Sequence, residues 1–531
     1  MNKMELIKKL LLLVAITLVQ YPRCATSANI LVAHPATTIF LQSHIRFQSV
    51  LSHELLKRGH RVVILSSSIL KDRGNSEENY SEMVTFKLPY DDDVYLQRHH
   101  TFFNLVTNPN ATVSELFSFS ETLHEDCNHL FNDAGALEKL KSEKFDLILL
   151  NPFGTCEYLL HCYLGVPYVV FTPAMRFPTF NEDIFRVPSP MSYVPGVMTG
   201  LSDDMSLFQR TVNVISKTII LPIFSYYMIS SDHIEKIKED KGLCPETPLF
   251  ELIRKAELWL VNADVAGDFA LPTTPNVISI GGLMNEPAKP LEPEFKMFVE
   301  DPEMNGVIIV SMGSSLTLGE KDASMYINAL GGLPYGVIFR HTGKITQNVS
   351  DNIKIVQWMP QNDLLGHPRT KLFIGHAGLG GIYEALYNAV PMVLIPHGLD
   401  QMDNAVRMCK KGVALCLDRQ NLDEKNLHDA AIEVLSQKRY KDAAEHWSNI
   451  HKDQPLTPRE RAVFWIEHVL KYGGAHLRPR GADMNFIQYY MLDVAILIAT
   501  FVTLFVVICT TCCVKGYKLI CHRNNFKQKQ S

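Results

Sequence analysis

Short apolar, β-rich runs alternate with helix-length segments along this chain, and the alternation stops and restarts. That restart limits the fold more than any other feature. Asn29–Ala33 reads as a strand, about Ile45–Lys57 as a helix closed by Gly59 in a left-handed cap, and Arg61–Leu65 as a second strand. Strand, helix and strand at these lengths make a βαβ unit with parallel strands. Phe145–Leu150 and Tyr168–Phe171 continue the pattern. Pro272, Pro275, Pro287, Pro290, Pro293 and Pro302 then crowd one stretch, and 285–305 reads as a linker. The rhythm resumes with strands at Val307–Ser311, Gly336–Arg340, Lys354–Gln357, Lys371–Ile374, Val390–Ile395 and Val413–Leu417. The expectation is an α/β chain with two facing Rossmann-like domains, about 29–284 and 306–475, binding ligands at the carboxyl ends of their strands. A length of 531 residues suits two such domains.

Both ends carry targeting features. Residues 1–28 have Lys3, Lys8 and Lys9, the apolar run Leu10–Val19 and small residues near Ala25 and Ser27, the layout of a secretory signal peptide. Val494–Val514 is 21 residues without a charge, long enough to cross a bilayer core of about 30 Å. Lys515, Lys518, Arg523, Lys527 and Lys529 follow it with no acidic residue. Basic flanks stay cytoplasmic, so a type I protein is expected, with 476–493 as the juxtamembrane segment and 515–531 as the cytoplasmic tail. Lys527 and Lys529 resemble a dilysine retrieval signal, which places the chain in the endoplasmic-reticulum membrane. Asn79, Asn110 and Asn348 head glycosylation sequons on the lumenal side.

A net charge of −5 argues against a nucleic-acid partner. Cys127, Cys156, Cys162, Cys244, Cys409 and Cys416 are few for the lumenal part and form no CxxC pair, so neither a disulfide scaffold nor a zinc site is expected. Asp91-Asp92-Asp93 lies far from the second domain's motifs and reads as a solvated loop, so no metal site is assigned.

The second domain carries the chemistry. Lys371–Ile374 delivers Gly375-His376-Ala377-Gly378 to a point where a helix opens. A helix N-terminus offers free N–H groups and partial positive charge, which suits phosphate. Gly378 and Gly380 allow close backbone approach, His376 adds a side-chain donor, and Glu384 is placed to accept from ribose hydroxyls. Gly378-Leu-Gly380 also begins a dinucleotide fingerprint, with Asp400 at a suitable distance, but Tyr383 stands where its third glycine belongs.

The run Trp358-Met-Pro-Gln361, Phe373-Ile-Gly-His376, Glu384-Ala-Leu, Val390-Pro-Met and Asp400-Gln401-Met-Asp-Asn404 resembles the signature of the UDP-glycosyltransferases, in their membrane-bound animal branch. Leu252-Ile-Arg-Lys-Ala, Ser311-Met-Gly-Ser314, His451-Lys-Asp-Gln-Pro and His476-Leu-Arg-Pro extend the likeness over nearly the whole chain. It implies the GT-B architecture, with an acceptor-binding first domain, a UDP-sugar-binding second domain and a helix near Arg459–Lys471 packing back on the first. By the same resemblance Trp358 and Gln361 hold uracil, Glu384 the ribose, Ser314 and His376 the diphosphate, and Asp400 and Gln401 the sugar. The UDP-sugar is a co-substrate and no other cofactor is implied. Two positions depart from the pattern: Ala377-Gly378 replaces Gly-Gly, and Gly380 replaces a polar Asn or Ser.

Transfer of the sugar to a hydroxyl calls for a base, and His44, sixteen residues before His60, matches the family's histidine. The acid that orients that histidine in the family is replaced here by Asn151. The expectation is an inverting, metal-independent transfer to a small lipophilic acceptor, with glucuronic acid or glucose as the sugar. Phe102–Phe103 and Phe117–Phe119 give weak support for such an acceptor. Glu157 is an alternative acid for His44. The alternative function is a catalytically weak or inactive homologue that binds ligand or pairs with an active subunit.

Overall fold

The computed structural model describes residues 27–34, 42–70, 79–107, 115, 125–152, 156–173, 182–223, 225, 232–313 and 316–528. Residues 1–26 of the proposed signal peptide, the sequon at Asn110, Phe117–Phe119 and Ser314 lie outside them.

The first domain is one parallel sheet in the order β3-β2-β1-β4-β5-β6-β7. Its strands are β1 (Asn29–Ala33), β2 (Arg61–Ser67), β3 (Glu82–Phe86), β4 (Leu147–Leu150), β5 (Tyr168–Thr172), β6 (Trp259–Val261) and β7 (Val277–Ser279). Sequences such as LILL and YVVFT are apolar at nearly every position because helices cover both faces of a parallel sheet. β1 is central, with Ile30 in register with Val62 on one side and Leu147 on the other. The second sheet, β10-β9-β8-β11-β12-β13, comprises β8 (Val307–Ser311), β9 (Gly336–Arg340), β10 (Ile353–Val356), β11 (Thr370–Gly375), β12 (Met392–Leu394) and β13 (Ala414–Cys416). Every strand read from the sequence is present. The strands β3, β6 and β7 were not foreseen; β6 and β7 have three residues each, as do β12 and β13, which were read from the longer apolar runs Val390–Ile395 and Val413–Leu417.

The helices used below are α1 (Gln42–Lys57), α2 (Asp92–Thr107), α3 (Leu207–Ile215), α4 (Pro293–Val299), α5 (Gln361–Leu365), α6 (Leu379–Tyr387), α7 (Gln401–Lys410), α8 (Lys438–Lys452), α9 (Pro458–Tyr472) and α10 (Leu492–Gln528). Gly59 caps the α1 end at φ 87°. Thr457 and Glu460 form a capping box that starts α9. The α9 helix returns to the first domain: Ala462, Val463, Ile466 and Val469 are buried with Ile30, Val32 and Phe47. Arg58 clamps Glu467 there with two hydrogen bonds of 3.0 and 2.9 Å.

Three sequence expectations are corrected. All six cysteines weighed above are paired, as Cys127–Cys156, Cys162–Cys244 and Cys409–Cys416. Their separations of 29, 82 and 7 residues follow no motif, so only the packed fold brings the sulfurs together. Asp91–Asp93 is a helix start rather than a loop: Asp91 accepts the Val94 N–H at 3.1 Å, and Asp92 and Asp93 occupy the first turn of α2, where negative charge is favourable. The proline-rich stretch 285–305 holds α4, begun by Pro293, with Phe295 and Val299 buried in the second domain's core.

Residues 479–531 form a separate compact unit. In it Leu492–Ile520 is long and apolar enough to cross a membrane, and α10 continues helically through the basic residues to Gln528.

Candidate functional site

The order of the first sheet reverses between β1 and β4, so the carboxyl ends of these two strands lie side by side. His44 sits in the first turn of α1, which follows β1, and Asn151 follows β4 directly. His44 is 6 % exposed and Asn151 0 %. The Asn151 side-chain nitrogen lies 2.8 Å from Nδ1 of His44. An amide nitrogen only donates, so Nδ1 accepts in this pairing and the ring proton sits on Nε2. Turning the amide over would let its oxygen accept from Nδ1–H and free Nε2 as a base. Burial drives the His44 pKa down to about 3, and the Asn151 hydrogen bond offsets part of that. Glu157 is buried at the start of the helix Tyr158–Leu164, where its charge acts on the Tyr158 phenol.

The second sheet reverses between β8 and β11, and Gly375 pairs in register with Ser311 at their ends. His376, the next residue, packs between two glycines. A Cβ on Gly313 would fall 2.6 Å from its Cε1, and one on Gly378 2.4 Å from its Nε2. Either would push the ring away. Burial, then the neighbouring His397, holds His376 down to about 4, so it is neutral at physiological pH and offers an N–H rather than a charge. Ala377 takes a left-handed φ of 65°, the conformation that the family's glycine adopts without strain and alanine does not. Gly378 is the N-cap of α6, and Gly380 lies in its first turn.

Trp358 follows β10 and is 60 % exposed, an open aromatic face. Gln361 begins α5 and donates its side-chain amide to the Glu384 carboxylate on α6. Burial raises Glu384 to about 7, while Gln361 and the Arg46 charge pull it the other way. Arg46 belongs to α1, two residues past His44, so the start of α1 lies within electrostatic reach of Glu384 in the second domain. Asp400, the N-cap residue of α7, has its carboxyl raised by burial and accepts from Asn404 at 2.9 Å. Asn404 also donates to the Ala377 carbonyl at 3.1 Å and accepts from Arg407 at 2.9 Å. Arg407 in turn meets Asp268 of the first domain at 2.8 Å. Gln401 accepts the His397 N–H through its side-chain oxygen at 2.8 Å.

The structure thus gathers His376, Gly378, Gly380, Glu384, Gln361, Asp400 and Gln401 around one strand end, with Trp358 at the sheet's edge. Asn79 is half-buried and Asn348 is exposed between β9 and β10. Arg46, Asp268 and Arg407 were missed. Asp400, Asn404 and Arg407 fall on one face of α7 at spacings of four and three, a signal that was available in the sequence.

The family described as UDP-glucoronosyl and UDP-glucosyl transferase matches residues 38–527. The chain belongs to this UDP-glycosyltransferase family. Among its relatives, UDP-glucuronosyltransferase 2C1 of Oryctolagus cuniculus is 34 % identical over 92 % of this chain and 99 % of its own length. The human 2-hydroxyacylsphingosine 1-beta-galactosyltransferase is 33 % identical over 89 % of this chain and 85 % of its own. The fold of this UDP-glycosyltransferase matches solved glycosyltransferases, including that of kitacinnamycin, at TM-score 0.58 and 18 % identity, covering 84 % of this chain and all of the other. Its two parallel-sheet domains are therefore a GT-B pair, joined in sequence to one apolar carboxyl-terminal helix.

Proposed function

We propose that this UDP-glycosyltransferase moves a glucuronosyl or glucosyl group from its UDP-sugar to a small lipophilic acceptor, inverting the anomeric centre without a metal. The acceptor oxygen attacks the anomeric carbon, the bond from that carbon to the β-phosphate oxygen breaks, and UDP leaves. With the Asn151 amide turned so that its oxygen accepts from Nδ1–H, His44 Nε2 takes the acceptor's proton. The leaving charge meets the α6 N-terminus, the His376 N–H and Ser314, the kind of fixed donors that lower such barriers. Trp358 and Gln361 hold uracil, Glu384 the ribose, and Asp400 and Gln401 the sugar hydroxyls.

The observation that supports this reading is that α1 bears both His44 and Arg46, and the Arg46 charge acts on Glu384 of the second domain. The names of the relatives cover glucuronosyl and galactosyl transfer, so galactose belongs in any test. Purified protein is incubated with a panel of UDP-sugars and acceptors, and both UDP release and binding are scored. Saturable UDP binding lost on Trp358→Ala and His376→Ala supports the reading, and absence of any UDP affinity sinks it.

One observation favours a second function, a weak or inactive homologue that binds ligand or pairs with an active subunit. With the Asn151 nitrogen against Nδ1, the ring's other nitrogen carries a proton and cannot accept one. Asn151→Asp separates the two: a rate gain marks a handicapped enzyme, and none on any acceptor marks a binder.

The proposed location is the endoplasmic-reticulum membrane, with both domains lumenal and Asn79, Asn110 and Asn348 heading glycosylation sequons. The three disulfides support an oxidising compartment. Glycosidase sensitivity of the expressed protein, with protease protection of both domains in sealed microsomes, tests it.

A further inference from the structure

The described cysteines fall into two chemical classes. The six in the two domains are all joined as disulfides. Cys509, Cys512 and Cys513 of α10 are free thiols, and all three are exposed. A free cysteine is ordinarily among the most buried of side chains. Cys512 and Cys513 follow Cys509 at three and four residues, the spacings that stack side chains on one helix face. They sit at the cytoplasmic end of the expected span Val494–Val514. At 1.5 Å per residue, Cys513 and Cys512 lie about 1.5 and 3 Å inside its last residue. Gly516 follows at four residues from Cys512 and three from Cys513, the positions from which a helical side chain leans back over the preceding turn. With no side chain, it leaves both thiols uncovered. A Cβ there would meet nothing within 4 Å beyond the helix's own backbone.

We propose that Cys512 and Cys513 are sites of S-acylation, with a long-chain acyl thioester of coenzyme A as the donor on the cytoplasmic side. The inference rests on the membrane orientation proposed above. The cysteine sulfur attacks the acyl carbonyl carbon and a new carbon–sulfur bond forms. The bond from that carbon to the coenzyme's sulfur breaks, and the cysteine's proton passes to the released coenzyme A thiol. Juxtamembrane cysteines are the ordinary acceptors of this reversible chemistry. Helical side chains lean toward the helix N-terminus, which here is toward the bilayer interior. An attached chain therefore runs down the helix face continued by Phe505, Val502 and Ile498, all apolar and exposed. Coenzyme A carries phosphates, and Lys515, Lys518, Arg523, Lys527 and Lys529 follow the cysteines with no acidic residue among them. Cys509 lies one turn deeper, and Cys521 about 10 Å beyond the end of the span, so neither is an assigned acceptor. Acylation of this pair fixes the depth at which α10 meets the cytoplasmic headgroups.

The test expresses the full chain in cultured animal cells fed an alkyne-bearing palmitate analogue, and reads label per chain after attaching a fluorophore. The expected label is removed by neutral hydroxylamine, which cleaves thioesters. It falls several-fold in the double variant Cys512→Ser, Cys513→Ser and persists in Cys521→Ser. No label, label that resists hydroxylamine, or label undiminished in the double variant overturns the proposal. A membrane-impermeant maleimide reads the orientation separately, at Ser531→Cys in sealed microsomes. A reactive tail without acyl label sinks the acylation alone, whereas a tail that reacts only after detergent sinks the orientation and the acylation together.

Discussion

The Tyr383 hydroxyl accepts the Asp264 N–H at 2.9 Å and lies 3.1 Å from the Asp264 carboxylate, reaching from the second domain into the first. Tyr383 sits on α6 immediately before Glu384, so the helix that opens beside His376 is fixed to the opposite domain. The other Asp264 oxygen meets Nδ1 of His451, on α8, at 2.6 Å. Burial alone would raise the Asp264 carboxyl, but His451, the Gly267 amide and Tyr383 together hold it below its usual value. The residue that breaks the dinucleotide fingerprint is thus a bolt between domains.

Removing that hydroxyl by Tyr383→Phe leaves buried polar groups of Asp264 short of a partner, at a cost of about 1–3 kcal/mol. Gly281→Ala should do more harm. Its Cβ would fall 2.4 Å from the Tyr383 oxygen and 2.7 Å from the Ala263 carbonyl carbon, and backbone cannot swing aside. Thermal unfolding of the solubilised protein reads both, and a wild-type melting temperature for Gly281→Ala would contradict the described packing.

Asn151→Asp should raise turnover if the chain is an enzyme, with the comparable protease exchange setting a ceiling of about 10⁴. It should also change the pH profile. His44 with a pKa of about 3 is unprotonated across the working range, so the wild-type rate has no acid limb from that group. A carboxylate beside it raises the pKa, and the variant should lose rate as pH falls toward that raised value. Plots of kcat/KM against pH for both proteins check this.

Glu384, raised to about 7, should make donor affinity pH-dependent. The ionised carboxylate accepts from both ribose hydroxyls and the protonated form does so less well, so UDP-glucose should bind more tightly as pH rises from about 6 to 8. Calorimetric titration across that range tests the sign. Glu384→Gln should bind more weakly and lose the slope, and a variant keeping the slope would assign it elsewhere.

Two glycines on the same turn should respond in opposite ways. Gly378→Ala places a Cβ 2.4 Å from His376 Nε2 and should weaken UDP binding about tenfold, roughly one hydrogen bond. At Gly380 a Cβ meets only the flexible tip of Met284, at 3.3 Å. Gly380→Ser therefore restores a polar side chain in the first turn of α6 and should tighten UDP binding several-fold. Dissociation constants for the two variants settle the pair.

Much of this molecule was local and so legible in one dimension. A strand announces itself by an unbroken apolar run, and the stretch from Trp358 to Gln401 holds the family signature in one continuous segment around one strand end. Strands of three residues, β6 and β7, gave no such signal. The cysteines were misread because a disulfide depends on where sulfurs meet, and separations of 29 and 82 residues say nothing of that.

By itself the sequence determined the two-sheet rhythm, the long apolar carboxyl-terminal helix and the UDP-glycosyltransferase family signature. Only the tertiary structure decided that the Asn151 nitrogen rests on His44, that Tyr383 and Arg407 tie α6 and α7 to the first domain, and that α3 turns Leu207, Phe208 and Ile215 outward. Periodicity and composition report on neighbours within a turn or two. Which strand ends stand side by side is set by sheet order, and which face of a helix looks inward is set by what the rest of the chain packs beneath it.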